Sequence, residues 1–307
     1  MTVLLQLILS GIMVGSIYSL VALGFVLIYK SSGIINVAQG QMLMIGGFVS
    51  WTFLSGIQLP DSLAAIFGSN HFPIPIAIAL SVLVAILMGL IIERLLLRPM
   101  IGQPILAVVM MTIALAAFMD GMTTLLWGAG ARNFPEFIPR TPIRLGELIL
   151  SPQHLFAFLL AILLLAGFTL FFQRSHTGLQ MRAAAEDHRV AQSLGVNVTR
   201  VFAMAWIISA VVSTLGGILL GSINGINLSL SFLGLKVLPV VLLGGLESIP
   251  GAIIAGPIIG ILENLGVAYL DPLVGGGIKE VAPFFILLVV LLFKPYGLFG
   301  LQRIERV

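Results

Sequence analysis

Not one charged side chain stands between Leu4 and Tyr29. At 1.5 Å per residue that run is long enough to cross the roughly 30 Å hydrocarbon core of a bilayer. Inside such a core every backbone polar group has to be satisfied by the protein itself, which leaves only helices and closed barrels. Ten-residue segments of alternating polarity are absent, so the helical solution remains. Similar apolar runs recur at 42–57, 76–92, 104–127, 154–172, 201–223, 235–245, 250–267 and 281–293. The chain is 59% hydrophobic and 9% charged, against about 25% charge in a soluble domain. The sequence therefore predicts an all-α polytopic membrane protein of about 8–10 transmembrane helices, some of them broken or re-entrant, built as a single transmembrane domain over residues 1–307.

The pair of runs at 235–245 and 250–267 reads either as two short crossings or as one re-entrant hairpin around the turn Leu246-Glu247-Ser248-Ile249. Counted as two, they bring the total to nine and place the chain ends on opposite sides. With residues 173–200 and the C-terminus inside, ten of the 15 basic residues face the cytoplasm, as the positive-inside rule requires. Lys30, Arg94, Arg98, Arg182, Lys294, Arg303 and Arg306 are among them, while Arg132, Arg140, Arg144, Lys236 and Lys279 fall outside. The N-terminus lacks a basic leader, so its first run is expected to be retained as a span. The small excess of positive charge belongs to these loops and gives no reason to expect nucleic acid as a partner. With no cysteine, thiol chemistry and disulfides are excluded.

The polar insert QRSHTGLQMRAAAEDHRVAQSLGVNVTR, residues 173–200, lies between two spans and has to sit outside the bilayer. Thr177 followed by Gln180 has the spacing of a capping box. Ala183, Ala184, Ala185 and Ala191 favour a helix, Arg182 and Glu186 are four apart, and Gly195 supplies a C-cap. One helix over about 177–195 is expected, serving either as a solvated connector or as a docking element whose alanines permit close approach by a cytosolic partner.

That insert also carries a resemblance. TGLQMRAAAEDHRVAQSLGVNVTRV resembles the coupling loop of ABC-importer permeases of the branched-chain amino acid family. GSIYSLVALGFVLIYKSSGIINVAQGQMLMIGG resembles the start of that family's H-type subunit, and GLKVLPVVLLGGLESIPGAIIAGPIIGILENLG at 234–266 is a third match in the right order. The family usually shows an acidic residue near Gln41 and often His at Gln39; this chain has Gln at both. The resemblance implies a fold similar to that of vitamin B12-type and ribose-type permeases in a bacterial inner membrane. It also implies a second permease subunit, different or identical, two cytosolic ATPases that hold the ATP and Mg, and a periplasmic substrate-binding protein. No cofactor is expected on this chain, and no covalent chemistry. Thr177, Gly178, Arg182, Ala184, Glu186, Asp187, Arg189 and Gly195 would then contact or couple to the ATPases. A permease for urea, short amides or sugars, or an ion-coupled carrier, are the rival functions.

Several polar residues inside or beside the apolar runs are candidates for the pathway or a gate. Asn36, Gln39 and Gln41 lie between the first two spans, either as a polar turn at the membrane face or as a re-entrant segment whose side chains satisfy broken backbone. Asp120 and Glu263 are acids within apolar runs. Such acids are costly there and face a cavity or a partner, and these two read equally as structural hydrogen-bonding groups or as receivers of a substrate ammonium. No basic partner for either is evident in the sequence. Glu247 tips the 244–251 turn, as a structural element or a second ATPase contact. His71, His154, His176 and His188 are expected to be solvated. Gly11/Gly15, Gly217/Gly221 and Gly256/Gly260 are small-xxx-small pairs suited to helix contacts, the last two expected within the chain.

Overall fold

A computed structural model describes residues 2–57, 71–135 and 141–300. Each expected apolar run is a helix. These are α1 (Thr2–Ser32), α2 (Gln39–Trp51, prolonged by a π-helical turn Thr52–Gly56), α3 (Ile74–Ile91, prolonged to Met100 by π and 3₁₀ turns) and α4 (Ile105–Trp127). After a small hairpin of β1 (Ile143–Leu145) and β2 (Leu148–Leu150) come α5 (Pro152–Arg174), α6 (His176–Glu186), α7 (His188–Ser193) and α8 (Val198–Asn224). A 3₁₀ turn (Leu228–Phe232), α9 (Leu233–Gly244), α10 (Ile249–Val274) and α11 (Ile278–Phe293) complete the chain.

Six of these helices are long and apolar enough to cross a bilayer unaided: α1, α3 with its extension, α4, α5, α8 and α10. The helices at 39–56, 228–244 and 278–293 are shorter. The 235–267 region is thus unequal. At 26 residues α10 spans on its own, whereas α9 has 12 residues and rises only about 18 Å. Arg140, Arg303 and Arg306 of the charge count lie outside the described residues. Glu93 is buried in the α3 extension and accepts from Arg98 at 3.2 and 3.3 Å.

The core forms around α1. Its apolar window is 89% buried, against 22% for α3 and 28% for α4 and α5, whose outward faces carry large apolar side chains. A helix apolar on all sides belongs in the middle of a bundle, and one with a single packed stripe belongs at its edge. In lipid there is no hydrophobic drive between helices, so close backbone approach has to supply the attraction. Glycines provide it: a Cβ on Gly15 would stand 2.3 Å from the Gly256 carbonyl, and one on Gly260 would stand 2.2 Å from the Gly11 carbonyl. Gly217 meets the Leu43 carbonyl in the same way. The glycine pairs on α1, α8 and α10 therefore pack within the chain.

The two ends of the bundle differ. Gln6 of α1 reaches the Ile149 carbonyl at one end. At the other, Lys30 Nζ donates to the Glu247 carbonyl at 3.2 Å, and Leu298 and Phe299 donate backbone N–H bonds to the Leu243 and Gly244 carbonyls. Residues 2 and 300 thus lie at opposite ends.

Candidate functional site

The polar insert is not one helix. Asp187 stands in extended backbone (φ −156°, ψ 119°) and divides α6 from α7. Its carboxylate accepts from the N–H groups of Arg189 at 2.7 Å and Val190 at 3.0 Å, so it caps the second helix by interrupting the first. Those two bonds favour the charged form and hold the carboxyl below its usual range. Nor is Thr177 the start. Ser175 caps α6, accepting from Gly178 N at 2.9 Å, because a cap has to precede the first helical residue. Gly195, at φ +84°, ends the segment as expected.

Arg182 does not pair with Glu186. It turns back to donate to the Phe172 carbonyl at the end of α5 and lies over the Phe172 ring. Gly178 is buried against the same carbonyl, where a Cβ would stand 2.3 Å away. Ala184, with Met181 and Ala191, is buried against the bundle. The outer face carries Glu186, Asp187, Arg189 and Gly195, all exposed, with Thr177 half-buried. Exposed beside them are Leu179, Val190 and, at 77%, Leu194.

Glu247 adjoins this segment. A cavity of about 560 Å³ is lined by Lys30, Ala185, Glu186, Arg189 and Glu247, and a second of about 400 Å³ by Lys30, Phe172, Arg182, Glu247 and Ser248. The turn between α9 and α10 therefore meets the polar insert at one end of the bundle. Ser248 accepts from Gly251 N at 3.1 Å and caps α10.

Asn36 and Gln39 form a different kind of site. Both are buried inside the protein, so the stretch between α1 and α2 is folded into the bundle. Gln39 lies level with Gly24, eight residues and so about 12 Å up α1 from Ser32. Every broken backbone group there needs a partner. Thr112 Oγ1 of α4 shares its one hydrogen between the Val109 carbonyl at 2.9 Å and the Ile35 carbonyl at 3.2 Å, and accepts from Val37 N at 3.4 Å. Asn36 Oδ1 accepts from Ala38 N at 3.1 Å. Gln39 Oε1 accepts from Asn36 Nδ2 at 2.9 Å and Ser209 Oγ at 3.1 Å, and Gln39 Nε2 donates to Ser213 Oγ at 2.7 Å. Gln41 points elsewhere: its Nε2 donates to Asp120 Oδ2 at 3.1 Å. Asp120 and Glu263, grouped in the sequence as intramembrane acids, are not brought together.

Glu263 has the basic partner that the sequence did not reveal. Lys236 Nζ of α9 stands 3.6 Å from its Oε1 and 3.7 Å from Glu280 Oε1 of α11, and also donates to the Lys279 carbonyl at 3.3 Å. Glu263 is 2% exposed, with the Tyr18 hydroxyl beside it, yet neither carboxylate oxygen receives a hydrogen bond in good geometry. These groups line a cavity of about 620 Å³ at the end of the bundle away from Lys30. His154 lines it too, and its buried Nδ1 makes no hydrogen bond. His188 packs edge-on against Phe202. Neither histidine is the solvated side chain expected. Lys236 and Tyr18 were missed because ion pairing between distant helices leaves no local spacing to read.

A family model described as the permease component of branched-chain amino acid transport systems matches residues 7–293. The chain is 31% identical to the high-affinity branched-chain amino acid transport system permease protein BraD of Pseudomonas aeruginosa, over 99% of this chain and 98% of that one. It is 30% identical to the corresponding permease protein LivH of Escherichia coli K12, over 99% and 97%. Identity is 27% to a probable branched-chain amino acid transport permease protein LivH of Methanocaldococcus jannaschii, over 97% and 93%.

Proposed function

This chain belongs to the family of branched-chain amino acid permease components, and from that premise we propose that it carries branched-chain or similarly apolar amino acids inward across a bacterial inner membrane. Members of this family are transport subunits of ABC importers and not enzymes. In this reading two cytosolic ATPases hold the ATP and Mg, a periplasmic binding protein delivers the solute, and a second permease subunit, different or identical, completes the pathway. The C-terminus and the 173–200 insert face the cytoplasm.

The observation that carries the reading is the asymmetry of the α6–α7 segment. One face is anchored by Gly178, Met181, Arg182 and Ala184. The other presents Glu186, Asp187 and Arg189 around the exposed Leu179, Val190 and Leu194. Apolar side chains beyond the membrane-spanning runs gain by being covered by protein. A cover that moves with ATP would push on the anchored face, and the contacts of Lys30 and Glu247 would pass the push to α1, α9 and α10.

The test is uptake of labelled leucine, isoleucine and valine by cells that express the chain with its ATPases, partner permease and binding protein. ATP-dependent uptake of these solutes, in preference to urea, a short amide or a sugar, is expected. Leu194→Asp or Arg189→Glu is expected to lower uptake about tenfold, the loss of roughly 1.4 kcal/mol of coupling, with membrane insertion unchanged. Solute movement by the purified chain alone in liposomes overturns the importer reading.

A further inference from the structure

The cavity beside Glu263 differs from the buried polar site at Asn36 and Gln39. Asn36 and Gln39 spend their donors and acceptors on one another and on α8. Glu263 is as deeply buried, borders about 620 Å³ of space, and has both oxygens without a well-formed hydrogen bond. A volume of this size lies within the roughly 300–1,000 Å³ of small-molecule sites.

We propose that this cavity is a binding site for a zwitterionic apolar amino acid, its ammonium on Glu263 and its carboxylate toward Lys279. The proposal rests on the amino acid importer reading above and adds the place and chemistry of contact. Lys236 lies nearly midway between Glu263 and Glu280. It can move fully to Glu280, which is exposed, while an incoming ammonium replaces it at Glu263. One ammonium is exchanged for another, so the buried acid is never left without a counter-charge, the state that costs most. The four charged groups of the site, Lys236, Glu263, Lys279 and Glu280, sum to zero formal charge. A net-neutral zwitterion preserves that balance, whereas a plain amine or a plain carboxylate does not. Val14, Leu220, Ile223, Leu230 and Leu233 form an apolar wall for the side chain. An ethanolamine phospholipid offers the same ammonium-and-anion chemistry, so the test has to separate the two.

The experiment measures binding of labelled leucine to the assembled transporter in nanodiscs of phosphatidylcholine alone and of phosphatidylcholine with phosphatidylethanolamine. Isoamylamine and isocaproate, which each lack one of leucine's charges, serve as competitors. Leucine is expected to saturate, and each analogue to compete at least about tenfold more weakly, the loss of one charge-assisted hydrogen bond. Glu263→Gln is expected to weaken leucine binding by about tenfold or more, and Lys279→Met by less, since Lys279 is exposed and its bonds compete with water. If Glu263→Gln fails to assemble, the analogue series on the native complex decides. Equal competition by isocaproate overturns the site, and so does undiminished binding by Glu263→Gln. Loss of leucine binding only when phosphatidylethanolamine is present, with no effect of Glu263→Gln, assigns the cavity to lipid and overturns it also. A complex that imports leucine while failing these tests keeps the importer reading and loses the cavity; one that imports no amino acid removes both.

Discussion

Gln39 and Glu263 are both buried, both polar and both set within apolar helices, yet the surroundings treat them oppositely. Gln39 has its amide oxygen and nitrogen satisfied by Asn36, Ser209 and Ser213. Glu263 has a lysine at 3.6 Å, a cavity, and no hydrogen bond in good geometry. A satisfied group fixes a structure, since every bond it makes is lost when it is removed. An acid left open beside a cavity contributes little to holding the fold and is available to something that arrives. The difference separates a residue kept for architecture from one kept for chemistry, and it can be tested by measuring stability apart from transport.

The largest effect on stability is expected from Gln39→Leu. It breaks three side-chain bonds at about 1 kcal/mol or more each, and thermal unfolding of the purified protein should register several degrees of loss. If that variant melted normally, the architectural role of Gln39 would be gone. Thr112→Val, nearly isosteric, removes the donor to the Ile35 carbonyl and the acceptor for Val37 N. It should cost about 1–2 kcal/mol, read in the same melt, with amide exchange rising at 35–37.

Next comes Asp187→Ala, which removes the α7 cap and should loosen α7 locally. Asp187 carries the same distinction outside the membrane, being a satisfied carboxylate. Its folded-state pKa is depressed, so its contribution is fully present above the ordinary aspartate value near 3.8 and fades as pH falls through the lower folded value. Protection of the Arg189 and Val190 amides from exchange should fade over that acid window in the native chain and be pH-independent in Asp187→Asn, which keeps an acceptor. The smallest stability effect is expected from Glu263→Gln, within about 1 kcal/mol, because Lys236 retains Glu280. A melt lowered as far as that of Gln39→Leu would erase the contrast between the two residues.

Every apolar helix among the described residues is legible in the sequence, because a run without charges is a local property that the bilayer enforces residue by residue. Lys236 reads as lying outside and Glu263 as an acid within an apolar run, and nothing local pairs them: the contact depends on how α9, α10 and α11 cross, and crossing is set by side chains distant in sequence. The division of α6 from α7 was missed for a different reason. Ala183, Ala184 and Ala185 have strong helix propensity, and that average outweighed Asp187, whose short side chain competes for the backbone N–H groups and wins at a cap. Similarly Ser175 and Thr177 are both capping residues two positions apart, and Ser175 is the one that accepts from Gly178 N. The stretch at 33–38 is legible as polar, but its hydrogen bonds to Thr112, more than seventy positions away, are not.

The seam of Gly11 and Gly15 against Gly256 and Gly260 has a consequence in time. Of the six long apolar helices α1 is the most enclosed in the finished protein, and α10, whose glycines close over it, follows it in the chain by more than two hundred residues. At about 5–20 residues per second, α1 waits on the order of 10–50 s for the glycines that close over it. Through that interval its own glycine face has only lipid, other nascent helices or the insertion machinery for company. A chain cut short before Ile249 therefore leaves α1 inserted but unclosed, which makes residues 11–15 the place to look for cross-links to whatever guards an unfinished membrane protein.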